Sequence, residues 1–146
     1  MLVKERLQKK ENKIIALPPK AGVLEAMKAM IDHGVRCMPV VDDKGELLGI
    51  IDDKDIFRAA HNDNQGFKTL TVDSLMETDL IVGLPTDDIN YIAGLMSKNN
   101  IHYVPIMDEG KMIGLISRSD VIRSQRRHID IENRYLKLYM EGTQHG

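Results

Sequence analysis

The chain has no tryptophan, a single cysteine and aromatic residues at only 4% of its 146 positions. So few aromatics leave little for a base-stacking surface. One thiol, Cys37, rules out an intrachain disulfide framework and fits a reducing cytoplasm. No stretch approaches the roughly 20 apolar residues a membrane span needs. The first residues, Met1, Leu2, Val3, Lys4, Glu5 and Arg6, lack the apolar core of a signal peptide. Charge of one sign is also missing: the net charge is −2, which gives no reason to expect a polyanion partner such as DNA. What remains is an ordinary balance of 42% apolar and 29% charged residues, that of a soluble globular protein.

Within that ordinary composition lies an internal repeat. Pro39 matches Pro105 at an offset of 66 residues, and Gly49 and Asp55 match Gly114 and Asp120 at 65. One residue is lost in the turn between them. Upstream, Pro19 pairs with Pro85, Val23 with Ile89, Ala26 with Ile92 and Met30 with Met96. Units of roughly sixty residues are small for independent cores, so the two are expected to pack together and share a cleft.

Each unit shows one order of periods. A short β-rich piece ends in proline, at residues 14–18 and 80–85. A helical stretch follows, with Val23, Ala26, Met27 and Met30 on one face, or Ile89, Ile92, Ala93 and Met96. Thr86 or Asp87 would cap the second of these helices, and Gly34 and Asn100 would stop both in left-handed caps. Two strands then form a hairpin, 35–41 with 46–51 and 101–107 with 111–116, before a second helix opens at Asp52 or Ser117. The order β-α-β-β-α predicts an α+β fold with helices packed on one side of a small sheet. Residues 61–66 read as a polar linker and 72–76 as a short turn. Flanking helices are expected at 2–10 and at 120–141. In the latter, Ile122, Ile129, Leu136 and Tyr139 form a stripe that a partner subunit would cover.

The strand-to-helix junctions carry the chemical interest. In the second unit Ser117 stands at a helix start, where unpaired N–H groups suit a phosphate, and Arg118 or Arg123 could add charge-assisted contacts. Asp120, accepting only, would pair with two ribose hydroxyls. Ser-x-x-Asp is equally a capping box, and the sequence leaves both readings open. In the first unit Asp52 and Asp55 hold the same places. A phosphate there would meet a carboxylate, with repulsion at ~4 Å of roughly 1 kcal/mol in water and ~4 near a protein surface. A neutral nucleoside or a cation would still fit. Cys37 reads as a small buried residue, and Met27, Met30, Met76, Met96 and Met112 read as core. The five histidines show no metal-ligand spacing. No P-loop, GxGxxG or Ser/His/Asp grouping points to catalysis.

Over about residues 14–126, with the Pro-ended first strand, the Ala/Met-bearing helix, Met38-Pro39-Val40 or Val104-Pro105-Ile106, and the Gly-to-Asp junction in two copies, the chain resembles the cystathionine β-synthase (CBS) domain family. It looks like a tandem pair, or Bateman module. Ile129, Asp130, Ile131, Glu132, Leu136 and Tyr139 resemble the helical tail of small stand-alone bacterial pairs. The resemblance implies an N-terminal helix at 1–13, repeats at 14–66 and 67–126 related by a pseudo-twofold axis, and a helical tail at 127–146. It also implies a non-catalytic sensor of an adenosine compound (AMP, ADP, ATP, S-adenosylmethionine or NAD(H)) that dimerises through its helices and tail and acts on a regulated protein.

In this resemblance each cleft joins strands of one repeat to the junction of the other. One cleft would use Ile15, Ala16, Leu17, Arg36, Cys37, Met38 and Pro39 with Ser117, Arg118 and Asp120. There Ser117 would take the phosphate and Asp120 the ribose, while the strands wall the adenine. The second would use Val82, Gly83, Leu84, His102, Tyr103 and Val104 with Asp52 and Asp55, where Asp52 departs from the family's Ser/Thr. Two competing readings are an interaction module whose clefts take no ligand, and nucleic-acid binding through Arg123, Arg126 and Arg127.

Overall fold

The computed structural model describes residues 1–10 and 14–125. The expected tail at 127–146, with Arg126 and Arg127, lies outside the described residues. The elements run α1 (Val3–Lys9), α2 (Val23–His33), β1 (Cys37–Val41), β2 (Leu47–Asp52), α3 (Asp53–Asn62), α4 (Ile89–Asn99), β3 (Tyr103–Asp108), β4 (Lys111–Ser117) and α5 (Arg118–Gln125). The α+β reading holds, as two small antiparallel sheets, β1–β2 and β3–β4, flanked by helices.

The first strand of each repeat shrinks to a single parallel bridge, Leu17 to Val40 and Gly83 to Ile106. Proline is the reason in repeat one: Pro18 and Pro19 follow Leu17 with no N–H to extend the ladder. In repeat two, Leu84 turns its N–H to the Asp87 carboxylate at 2.8 Å. Both bridges meet the hairpin where its register shifts, at Val40/Val41 and at Ile106/Met107. The residue lost between repeats is lost in the second hairpin, which closes over Glu109 and Gly110 alone. Both have positive φ, as a two-residue turn requires.

Helix ends follow the sequence with one correction. Gly34 and Asn100 do adopt left-handed caps. The N-cap of α4, however, is Asp88 and neither Thr86 nor Asp87: its carboxylate accepts from Asn90 N–H, while Asp87 serves Leu84. Residues 72–74 form a 3₁₀ turn as expected. Met30 and Met96 are buried, and Met27 and Met76 pack beside the first core.

The two cores are completed crosswise. Val72, ahead of repeat two, lies in the core of repeat one with Val23, Met38 and Ile51. Val3 and Leu7, ahead of repeat one, lie in the core of repeat two with Ile92, Val104 and Ile116. The backbone ties repeat this exchange: Val72 N–H bonds Ala21 O, and Val3 N–H bonds Asp87 O, with the two acceptors 66 residues apart. Likewise Val23 N–H bonds Leu70 O, and Ile89 N–H bonds Met1 O.

Gly49 allows the lead-in of repeat two to cross the hairpin of repeat one. Glu77 pairs with Ile50 through both backbone bonds, and a Cβ on Gly49 would stand 2.8 Å from Glu77 O and 2.7 Å from Met76 Sδ. The sulfur can yield, but the paired carbonyl cannot. Gly49→Ala is therefore expected to destabilise the fold by about 1–3 kcal/mol, read as a lowered midpoint in urea unfolding. An unchanged midpoint would show that the lead-in is free to shift.

Candidate functional site

Side-chain alternation along β1 decides which residues face the space between the repeats. Cys37 and Pro39 face it, whereas Met38, between them, points into the core and is 1% exposed. They meet the β4–α5 junction of the other repeat. Two adjoining recesses, of about 270 and 110 Å³, share Lys10, Val35, Cys37 and Leu115. The larger adds Arg36, Tyr103, Ser117, Ser119, Asp120 and Arg123, and the smaller adds Ile14, Ile15 and Pro39.

Of the residues assigned to this cleft from the sequence, the structure brings together Ile15, Arg36, Cys37, Pro39, Ser117 and Asp120. Ala16 and Leu17 do not line it. The Leu17 bridge carries them toward a separate recess beside Pro18, Pro19 and Val41. Met38 belongs to the core, and the exposed Arg118 lines neither cleft, leaving Arg123 one turn on as the cation of α5.

The second cleft, of about 350 Å³, joins Asp52 and Asp55 to His102 and Tyr103. Its apolar wall is Leu80 and Ile81, the positions 66 residues beyond Ile14 and Ile15. Val82, Gly83, Leu84 and Val104 do not line it. Val104 is core, Gly83 lies against Ile92 and Ile106, and Val82 and Leu84 face outward. Glu77, Asp79, Lys54 and Arg58 add charge to the lining, and Ile50, Ile101 and Pro105 add apolar surface.

Both junctions are capping boxes. Asp55 N–H bonds Asp52 Oδ1 at 3.0 Å, and Asp52 N–H bonds Asp55 Oδ2 at 3.0 Å. Asp120 N–H bonds Ser117 Oγ at 3.2 Å, and Ser117 N–H bonds Asp120 Oδ2 at 2.8 Å. The capping reading is thus present at both junctions. It leaves the Ser117 hydroxyl at the cleft, within 2.8 Å of Ser119 Oγ.

The two carboxylates at the matching junction positions differ in their partners. Asp120 is 1% exposed, yet its Oδ2 accepts from Lys10 Nζ at 2.6 Å, Ser117 N–H and Ser117 Oγ, and its Oδ1 accepts from Arg6 at 3.3 Å. Burial pushes its pKa up, but the bonds from Lys10 and Ser117 outweigh that and hold it below the ordinary carboxylate value. Among the described residues no lysine forms an ion pair with Asp55. Burial pushes its pKa up to about 6, opposed by the Asp52 N–H and aided by the Asp52 charge. Its nearest cation, Arg58, stands at 3.9 Å.

Burial raises the Cys37 thiol, with Asp52 and Asp55 adding to the effect, so it stays protonated as a buried small residue. Burial lifts Tyr103 to about 12, and burial with Arg118 and Lys54 lowers His102, which is neutral at pH 7. Among the described residues no group of three or more His, Cys, Asp or Glu is placed to hold a metal ion.

Lys10 and Arg6 escaped the sequence reading, in which they were two charges on a short helix. The signal was present in the lead-ins: Leu2-Val3 ahead of repeat one echoes Thr71-Val72 ahead of repeat two, which places Lys10 at one cleft as Asp79 stands at the other.

The family profile described as CBS domain matches residues 9–62 and again 72–127. The chain belongs to the CBS-domain family. This CBS pair is 30% identical over 116 residues to the L-aspartate semialdehyde sulfurtransferase of Methanocaldococcus jannaschii. The match covers 75% of this chain but only 22% of that relative's length. Among solved structures, the CBS-domain protein ATU1752 from Agrobacterium tumefaciens superposes with a TM-score of 0.82 at 22% identity, covering 86% of this chain and 99% of that one. The CBS domain pair of protein MJ0100, in complex with 5-methylthioadenosine and S-adenosyl-L-methionine, is 28% identical with a TM-score of 0.70. It covers 84% of this chain and 94% of that one. No helix among the described residues of this CBS pair is long and apolar enough to cross a membrane.

The raised pKa of Asp55 means that folding favours its neutral form. That contribution is fully present below the unfolded value near 3.8 and is lost as pH rises through about 6. Asp55→Asn, which keeps an acceptor for the cap without the charge, should therefore gain stability over the wild type as pH rises from about 4 to about 6. Parallel urea titrations across that range check it, and a constant gap between the two proteins would contradict it.

Proposed function

We propose that this CBS pair is a non-catalytic regulatory module that binds an adenosine nucleotide, and that the nucleotide enters the Ser117/Asp120 cleft. The observation that carries this reading is charge. The linings of that cleft hold three cations, Lys10, Arg36 and Arg123, against one carboxylate, Asp120. The other cleft holds two cations, Lys54 and Arg58, against four carboxylates, Asp52, Asp55, Glu77 and Asp79. A phosphate is drawn to the first and repelled by the second. In the first, Ser117 and Ser119 offer hydroxyls at the start of α5, Asp120 takes the ribose, and Ile15, Cys37 and Pro39 wall the base. The acidic cleft suits an adenosine compound without phosphate, and a cationic one best. The MJ0100 pair, with its thioether and sulfonium adenosine ligands, supports an adenosine-type ligand for the family fold.

A ligand that bridges both repeats biases their relative arrangement when it favours one of them, and a regulated protein in the cytoplasm would read the change. Self-association completes the proposal. Ile31 on α2 and Phe57 on α3 are 77% and 68% exposed, and together with Leu24 they make an apolar helical face suited to a second copy. Nothing in the lining charges favours nucleic acid over a small nucleotide.

A thermal-shift panel of AMP, ADP, ATP, NADH and S-adenosylmethionine tests the binding. A ligand at about 100 times its dissociation constant should stabilise the fold by ~2.7 kcal/mol. For AMP, Asp120→Ala should abolish the shift and Asp52→Ala should preserve it. Equal loss from both changes would reverse the assignment of the clefts, and no shift with any ligand would favour an interaction module. For self-association, Ile31→Asp combined with Phe57→Asp should halve the mass found by light scattering. A mass unchanged from wild type would place the contact elsewhere.

A further inference from the structure

The Oδ2 oxygen of Asp120 has no capacity left for a further donor. A carboxylate oxygen offers about two acceptor sites, and three donors crowd Oδ2: Lys10 Nζ, Ser117 N–H and Ser117 Oγ, while Oδ1 accepts from Arg6 at 3.3 Å. Two of these are fixed. Ser117 N–H belongs to the cap, and Arg6 lies within α1, whose Val3 and Leu7 are buried in the core. The Ser117 hydroxyl can turn its one proton away while its Oγ still accepts from Asp120 N–H, and Lys10 can leave. It caps the C-terminal end of α1, its ammonium rests on Asp120 Oδ2 and Leu115 O, and it lines both recesses of the cleft.

Resting on the proposed nucleotide reading of this cleft, we propose that Lys10 is its specificity-determining residue and makes it select nucleoside phosphates over nucleosides. Lys10 Nζ and Ser117 Oγ bond the same oxygen, at 2.6 and 2.9 Å, so a phosphate held by Ser117 lies within reach of Lys10. An incoming nucleotide exchanges one charge-assisted bond for another: Lys10 moves from carboxylate to phosphate, and Asp120 turns to the ribose. A nucleoside must break the same Lys10–Asp120 contact and offers the ammonium nothing in return. α1 stays docked throughout, because its apolar anchors and its bonds to Pro85 O and Asp87 O are untouched. The second cleft has no counterpart among the described residues, since Glu77 and Asp79 occupy the lead-in there and no lysine forms an ion pair with Asp55.

Calorimetric titration of the full chain with AMP and with adenosine tests this. In Lys10→Met the preference for AMP over adenosine should fall by about tenfold or more, because one charge-assisted contact is lost from AMP and one obstacle is lifted from adenosine. Lys10→Arg should keep most of the preference. Should Lys10→Met fold poorly, the Lys10 ¹³Cε resonance of the wild type gives the same answer: AMP should shift it and drop its coupling to Asp120. AMP binding with an unaltered preference in Lys10→Met, or with a stationary Lys10 resonance, overturns the role of Lys10 alone. Failure of the wild type to bind AMP at all overturns the nucleotide reading, and this inference with it.

Discussion

Burial of one valine per lead-in, each in the core of the repeat it does not precede, is the constraint on which the rest of this structure depends. Val72 closes the core around Met38 and Ile51, and Val3 closes the one around Val104 and Ile116. Neither core of some ten buried side chains would exclude water alone, in keeping with the thin margin of units this small. The exchange holds the two repeats together, and the junction of each lines a cleft with hairpin residues of the other. It also delivers a charged residue from each lead-in to a cleft: Lys10 to one, Glu77 and Asp79 to the other.

The backbone is nearly symmetric and the electrostatics are opposed. Both junctions close the same reciprocal cap, so the fold is indifferent to whether the capping position is Ser117 or Asp52. With either residue able to cap, that position is open to contribute to the sign of the cleft. The lead-ins amplify it, with a lysine where the hydroxyl stands and two acids where the carboxylate stands. Asp120 is thereby held ionised despite burial, while Asp55, short of cations, keeps its proton to about pH 6. Two clefts of one ancestry thus become sites of different chemistry.

Most of the architecture was legible because repetition doubled weak signals. Pro39 and Pro105, Gly34 and Asn100, and the two Gly-to-Asp junctions each gained meaning from their counterparts. The helix order and the hairpins followed from them, while the pairing of opposite-repeat residues in each cleft came from the family resemblance. Finer register did not. The first strands were read a residue or two too far along, to Leu17 and Leu84, because proline's effect on the neighbouring ladder is not visible in apolar periodicity. Met38 and Val104 were placed in the clefts although strand alternation turns them inward. Lys10 and Arg6 were lost for a deeper reason: nothing local marks a surface helix as part of a distant core. Only the echo of Leu2-Val3 in Thr71-Val72 does so, and two residues are too few to stand out.

The crossed lead-ins also govern the order in which the chain can fold. Arg6 and Lys10 meet Asp120 across 114 and 110 residues of sequence, and Met1 O receives Ile89 N–H. Closing loops of that length carries an entropy cost that local helices and hairpins do not. During synthesis the first helix therefore waits, its Val3 and Leu7 uncovered, until the last strand has emerged. Repeat one can meanwhile close on Val72. The nascent chain would pass through a half-folded stage with the two apolar anchors of α1 uncovered, a stage open to chaperone capture or to exchange with a second chain.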